Sequence, residues 1–231
     1  LYPKERVIRD LYFGLAVPHD GPVHAWESHY VKDLERFPYD PGKAAAMLDA
    51  AGWKLNERGV REKVVDGERK ELVIRGLWPT QNPISGDTIQ LFKKSAQQAG
   101  VVVESVQREW SVMLKNLEDR DFDLCVLGWA NVWDGNPIQI WHSKSGRLAK
   151  GSNHISYSNP EVDAIIDGLE TEFDPAKRKE LWGRFQRTTV ADQPYCFNSI
   201  RTRPWVVNNR LANHFFCKIR PQEWFLPWYV K

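Results

Sequence analysis

Cysteine is scarce in this sequence, and no apolar run is long. The three cysteines, Cys125, Cys196 and Cys217, are too few and too irregularly spaced for a disulfide framework or a paired-cysteine zinc site. No stretch approaches the ~18 uninterrupted apolar residues that a membrane-spanning helix needs. An excess of one charge is missing as well: 32 Lys plus Arg against 30 Asp plus Glu leaves +2, no electrostatic case for nucleic acid or an anionic membrane. The spacings G-x-S-x-G, H-E-x-x-H, G-x-x-x-x-G-K-[ST] and G-x-G-x-x-G are all absent, so no familiar catalytic or phosphate-binding constellation is present and no enzyme is expected. The first residue is Leu1, with no basic start followed by a short apolar run. Any signal peptide is therefore expected to be absent or already removed, and the chain is read as a fragment.

What is present belongs to a globular chain. At ~150 residues per domain, 231 residues give one to two domains and enough chain for a real core without metals or staples. Hydrophobic residues at 42% and charged residues at 27% exclude disorder over the whole length. The unusual count is 11 Trp, which fits either packed cores or a cleft for flat or peptide-like ligands. Cys125, inside the apolar run from Phe122 to Leu127, reads as a small buried hydrophobe. Cys196 and Cys217 either pair in an oxidising compartment or remain two free thiols.

Along the chain, Leu1 to Arg36 carries Pro3, Pro18, Pro22 and the turn pair Asp20-Gly21, so after a first helix it reads as irregular loop. Asp40 then caps and Pro41 opens a helix whose Ala44, Met47, Leu48 and Ala51 form one face before Gly52. Asp66-Gly67 marks a hairpin turn. A strand over Leu72–Trp78 precedes a helix with Ile84, Thr88, Leu91, Phe92, Ser95 and Ala99 on one face, closed by Gly100. A strand over Val101–Val106 precedes a helix with Trp110, Met113, Leu114 and Leu117 in register, and Phe122–Leu127 is the third strand. This predicts a β-α-β-α-β core over residues 72–129, its strands parallel through right-handed crossovers. Asn159-Pro160 and Asp174-Pro175 open two further helices. Val162, Ile165, Ile166 and Leu169 stripe the first, and Leu181 and Phe185 lie one turn apart on the second. From Pro194 to Lys231 strand-like runs, Tyr195–Phe197 and Trp205–Val207, alternate with prolines, as in a segment returning to another body.

Several residues invite chemistry and resist it. His19, His24 and His29 repeat every five positions, which places them on no common helical face, and metal ligation is not expected. His142 and Ser143 are neighbours in sequence, an arrangement in which nucleophile and base rarely face one another. Arg201, Arg203, Trp205 and Arg210 mix bases with an aromatic, yet no nucleic-acid motif accompanies them.

The informative stretch leaves the third strand: Gly128-Trp129-Ala130-Asn131-Val132-Trp133-Asp134-Gly135-Asn136-Pro137. Ligands of open α/β sheets meet the loops at the carboxyl ends of the strands. Here that loop carries indoles and one carboxylate. A carboxylate at the mouth of an aromatic cleft holds an ammonium group by charge-assisted hydrogen bonds, while indole faces pack on side chains of varied shape. The combination suits a free peptide amino terminus.

The run Phe37-Pro38-Tyr39-Asp40-Pro41-Gly42-Lys43-Ala44, continued by Leu48, Ala51, Gly52 and Trp53, resembles a signature of the bacterial extracellular solute-binding proteins of family 5. Gly14–Pro22, Gly128-Trp129, Gln139–Ser143, Gly151-Ser152-Asn153, Asn159–Asp163, Asp174-Pro175 with Arg178, and Gln193-Pro194-Tyr195 follow in that family's order. The resemblance implies a periplasmic binding protein type II-like α/β lobe, a mixed or parallel sheet flanked by helices. It implies two lobes hinged around a cleft, of which residues 1–203 are the C-terminal lobe and 204–231 return toward the hinge and an absent first lobe. It also implies a periplasmic or extracytoplasmic protein that captures peptides for an ABC permease, with no cofactor and no metal. Membrane contact would come only through the permease or an anchor outside this chain. Carried over, the pocket role falls on Trp129 and the anchoring of the peptide α-amino group on Asp134, with Trp133 and Asn136 as neighbours. Many members place that acid nearer the Gly-Trp, where this sequence has Val132. Nickel chelates, heme-like molecules and oligosaccharides are alternative ligands within the family, and an α/β sensory or catalytic domain is the alternative outside it.

Overall fold

A computed structural model describes residues 1–130, 135–148, 150–202, 204–217 and 227–231. The chain opens with helix α1 (Lys4–Asp10) and strand β1 (Ala16–Pro18), then crosses a long stretch without regular structure. Helix α2 (Pro41–Ala50) begins as predicted: the Asp40 carboxylate accepts the Lys43 amide at 2.8 Å, satisfying an N–H that the first turn leaves free. Gly52 follows with φ +87°, a conformation that glycine adopts without strain. The apolar face expected on α2 is not a core face. No residue of α2 is buried and Met47 is 64% exposed; Leu48 alone leans on the packed interior.

Strands β2 (Lys54–Leu55), β3 (Arg61–Val65) and β4 (Glu68–Glu71) form a small antiparallel sheet. Asp66 and Gly67 both take positive φ, the twist that lets a two-residue turn join two strands. The predicted core follows. Strand β5 (Val73–Pro79), helix α3 (Pro83–Gln97), strand β6 (Val102–Arg108), helix α4 (Trp110–Asp119) and strand β7 (Leu124–Cys125) build a parallel sheet in the order β6-β5-β7. The third strand is shorter than Phe122–Leu127, pairing only through Leu124 and Cys125. Ile89, Ala96, Val101 and Val103 pack between α3 and the sheet, while Leu77, Met113 and Leu117 pack beneath α4.

Two short helices, α5 (Ile138–Trp141) and α6 (Ser143–Gly146), lead to the helical pair α7 (Pro160–Thr171) and α8 (Pro175–Asp192). Asn159 and Asp174 cap that pair through their side-chain oxygens. The stripe Val162, Ile165, Ile166 and Leu169 is buried against Trp182 and Phe185, with Trp141 and Val23 completing the cluster. Strands β8 (Ser199–Arg201), β9 (Leu211–Ala212) and β10 (Tyr229–Val230) close the chain, β8 pairing antiparallel with β1 and β10 with β9. Tyr195–Phe197 and Trp205–Val207 are not strands. The alternation read there reflects packing instead: Tyr195 and Phe197 lie against Trp141.

The stretch between β1 and α2 is irregular but pinned. Lys4 Nζ donates to the His19 carbonyl and the Asp20 carboxylate. The fully buried Gln186 donates to the His29 and Trp182 carbonyls and accepts the Val31 amide. A second buried polar side chain, Arg61, ties β3 to the end of α3 and to α2 through the Ala99 and Trp53 carbonyls and the Asp49 carboxylate. No helix among the described residues is long and apolar enough to cross a membrane.

Candidate functional site

Three segments meet around a cleft of about 370 Å³: Trp110, Leu114, Leu117 and Glu118 of α4; Leu127, Gly128 and Trp129 beyond β7; and Lys150, Ser152 and His154 of the following loop. Trp110 follows the carboxyl end of β6 and Trp129 that of β7, the edge where parallel sheets meet their ligands. The two indoles are 43% and 41% exposed, in contrast to Trp141 and Trp182, each 5% exposed. The tryptophans therefore divide between the two uses that their number allows. Trp141 and Trp182 hold the helical core together, while Trp110 and Trp129 keep faces open to solvent.

The loop carrying His154 is fixed by a small scaffold. Asn153, fully buried, donates to the His142 and Tyr157 carbonyls and accepts the Tyr157 amide. Gly151 lies so close to α6 that a Cβ would stand 1.8 Å from the Ser145 carbonyl oxygen. Arg120, which ends α4 in a left-handed conformation, donates to the Gly146 carbonyl at 2.9 Å and so draws this loop onto α4. Gln139 Nε2 donates to Ser152 Oγ at 2.8 Å. The Gly151-Ser152-Asn153 run is a backbone clamp, and its product is the position of His154.

His154 stacks on Trp129, ring centroids 6.2 Å apart and planes 11° from parallel. Burial first, then the nearby Arg120 charge, push the His154 imidazole below its ordinary range, so it is neutral at pH 7. Burial pushes the Tyr195 phenol up to about 12. Trp129 is braced by His154 and lines the cleft. Glu118 and Lys150 bring one charge of each sign to the cleft lining.

Of the four residues read as ligand contacts, Trp129 lies in this cleft. Asn136 does not line it; its side chain accepts the Ile138 amide at the start of α5 and donates to Glu170 Oε1 of α7 at 3.3 Å. Trp133 and Asp134 lie outside the described residues. Sequence reasoning misses Trp110, Lys150 and His154. The helical period puts Trp110 on a core face with Met113, and only three-dimensional placement separates its exposed edge from the buried one.

Elsewhere, a smaller cavity of about 240 Å³ lies between α1 and Tyr39, where Arg6 and Arg9 both pair with Asp10. No group of three or more metal-ligating side chains occurs among the described residues. His19 and His29 stack against Tyr30 and Trp182, and His24 lies tilted against Trp26. Ser143 Oγ donates to Asp163 instead of His142. The three cysteines are unpaired, and burial pushes the Cys125 thiol up to about 11.

The chain is 27% identical over 174 residues to the oligopeptide-binding protein AppA of Bacillus subtilis, covering 73% of this chain and 31% of AppA. Its backbone is similar to that of an oligopeptide-binding protein of Thermus thermophilus complexed with a pentapeptide, with a TM-score of 0.82 and 19% identity over 92% of this chain and 38% of the other. The solved structure of B. subtilis AppA in complex with a nonapeptide gives a TM-score of 0.80 at 23% identity, over 99% of this chain and 45% of the other. At these identities the likeness is one of fold, that of a periplasmic binding protein. The chain spans about a third of the length of the curated relatives it matches. Residues 1–151 match the model of the middle region of the bacterial extracellular solute-binding proteins, family 5. By that match over well over half its length, the chain belongs to the family 5 extracellular solute-binding proteins.

Proposed function

We propose that this chain is the second-lobe portion of a two-lobe protein that captures peptides outside the cytoplasmic membrane and presents them to an ABC permease. Residues 1–203 form the lobe in this reading, and 204–231 return toward the hinge and first lobe. Trp129 carries it: a half-exposed indole leaving the carboxyl end of a parallel strand, stacked on His154 and lining an open cleft. Asp134, five residues on, is assigned the peptide α-amino group, whose ammonium a carboxylate binds by charge-assisted hydrogen bonds. Trp133 and Asn136 are the assigned neighbours.

Closure of one lobe on the other buries a ligand from both sides and changes the face shown to a permease. A periplasmic or extracytoplasmic location follows from that role, and near-neutral charge fits a protein that contacts the bilayer only through its permease or an anchor beyond this chain.

The test is calorimetry on the full-length protein with penta-alanine and its N-acetylated form. The free-amino peptide is expected to bind and the acetylated one to bind at least about tenfold more weakly, with Asp134→Asn erasing the difference. Equal binding of the two peptides by the unaltered protein would remove Asp134 from its role, and no binding of either would overturn peptide capture.

A further inference from the structure

The seat of His154 suits one protonation state. Its ring lies nearly parallel to the Trp129 indole, and its Nδ1 is buried with no hydrogen-bond partner among the described residues. In a neutral imidazole Nδ1 can be the nitrogen that carries no proton. The imidazolium donates from both nitrogens, so in this seat it would hold a buried N–H that faces no acceptor. Burial disfavours the charged form most and the Arg120 guanidinium next; Glu118 and the Leu117 carbonyl oppose them without cancelling, and the imidazole titrates below its ordinary range. Lys150, on the same loop as His154, brings a further positive charge to the cleft. At 6.2 Å between ring centroids the indole stands at the outer limit of cation–π attraction and returns little.

We infer that His154 is the positioning residue of Trp129 and gives ligand capture a dependence on mild acid, seating the indole at the cleft while neutral and leaving the stack when protonated. The backbone on either side does not yield, because Asn153 binds the His142 and Tyr157 carbonyls and Gly151 lies hard against α6; relief comes from the side chain. Trp129 is 41% exposed and follows a strand that pairs through only Leu124 and Cys125, so the stack on His154 is a large part of what orients it. The protein competent for capture thus binds one proton fewer here than the protein with a released His154, and affinity falls as pH falls. With the released ring titrating near the ordinary value of about 6.5, a single proton limits that loss to about tenfold between pH 7.5 and 5.5.

The inference rests on the peptide-capture reading, and one experiment separates the two. Calorimetry on the full-length protein would titrate penta-alanine at pH 7.5 and at pH 5.5. The ligand's α-amino group, with a pKa of about 8, gains its remaining proton over this range in every sample, so the readout is the change in affinity relative to a variant. His154→Phe keeps a ring against Trp129 and cannot titrate. Relative to it, the unaltered protein is expected to lose about threefold to tenfold in affinity on going to pH 5.5. His19→Gln, altered at a histidine that does not line the cleft, should lose the same. His154→Gln serves where the phenylalanine variant does not fold. Heats measured in phosphate and in bis-Tris at pH 6 need no variant: they count the protons released on binding, and a sizeable fraction of one proton is expected. A pH dependence shared by the unaltered protein and the His154 variants, or binding without proton release, overturns the role of His154 and spares peptide capture. Failure of penta-alanine to bind at either pH overturns both.

Discussion

Arg61 and Asp49 are unequal partners: the guanidinium is 2% exposed, while the carboxylate it meets at 2.8 Å is 48% exposed. The same guanidinium also donates to the Ala99 and Trp53 carbonyls. Unequal burial predicts unequal cost. Arg61→Ala strands two carbonyls and leaves a void, a loss of about 3–5 kcal/mol. Asp49→Asn keeps an acceptor in a solvated position and should cost a small fraction of that. Urea unfolding midpoints of the two variants check the ratio, and equal losses would contradict it.

Gly151 is a steric requirement. A Cβ there would overlap the Ser145 carbonyl oxygen, which is backbone and cannot swing away. Gly151→Ala should destabilise by more than about 3 kcal/mol or prevent folding. Gly128→Ala, whose Cβ would meet nothing within 4 Å, should leave the thermal midpoint within about 1 °C. Because the clamp positions His154, a folded Gly151 variant should also lose the contact between His154 and Trp129, read as a change in tryptophan fluorescence.

His19 makes stability depend on mild acid. Burial, then the His24 charge, push its imidazole down from 6.5 to about 4, so the fold holds it neutral. Above pH 6.5 the folded and unfolded chains bind the same number of protons there; as pH falls from 6.5 toward 4 the unfolded chain binds one that the folded chain refuses. The stabilisation is therefore complete above pH 6.5 and is lost downward, by about 1–3 kcal/mol. His24 and His154 are lowered too and add to the same slope, whereas the lowered carboxylates Asp49 and Asp121 act at lower pH. Unfolding followed from pH 7.5 to 4.5 should show this fall, and His19→Gln should flatten it.

Residues 1–231 alone should bind peptides weakly or not at all. One side of a clamp supplies roughly half of the contacts, while association still costs several kcal/mol in lost freedom. Calorimetric titration of the isolated chain with penta-alanine checks this, and micromolar affinity would contradict it.

Where structure follows from local chemistry, the sequence is legible. Asp40, Asn159 and Asp174 each precede a proline and each caps the helix that follows. Asp66-Gly67 turns a hairpin, and the alternation over residues 72–129 yields the parallel sheet. Legibility fails where partners are distant. The pairing of Val17 with Ile200 joins residues far apart in the chain, and nothing in either local pattern announces it. The apolar stripe on α2 has the period of a core face, yet none of its residues is buried and only Leu48 meets the interior. At the candidate site, Trp129 stands out by its place after a strand. Lys150 and His154 enter only because Gly151 and Asn153 fix their loop and Arg120 draws it onto α4.

The stretch between β1 and α2 has almost no regular secondary structure, yet Val23 and Leu34 are buried, His29 stacks on Trp182, and Gln186 fastens its backbone. A protease must draw several residues of extended backbone into its active site, and here that means peeling hydrophobic anchors off α8 first. Trypsin should therefore spare Lys32 in the native protein and cut it only at the rate of global unfolding, so this coil digests like the interior of a helix bundle.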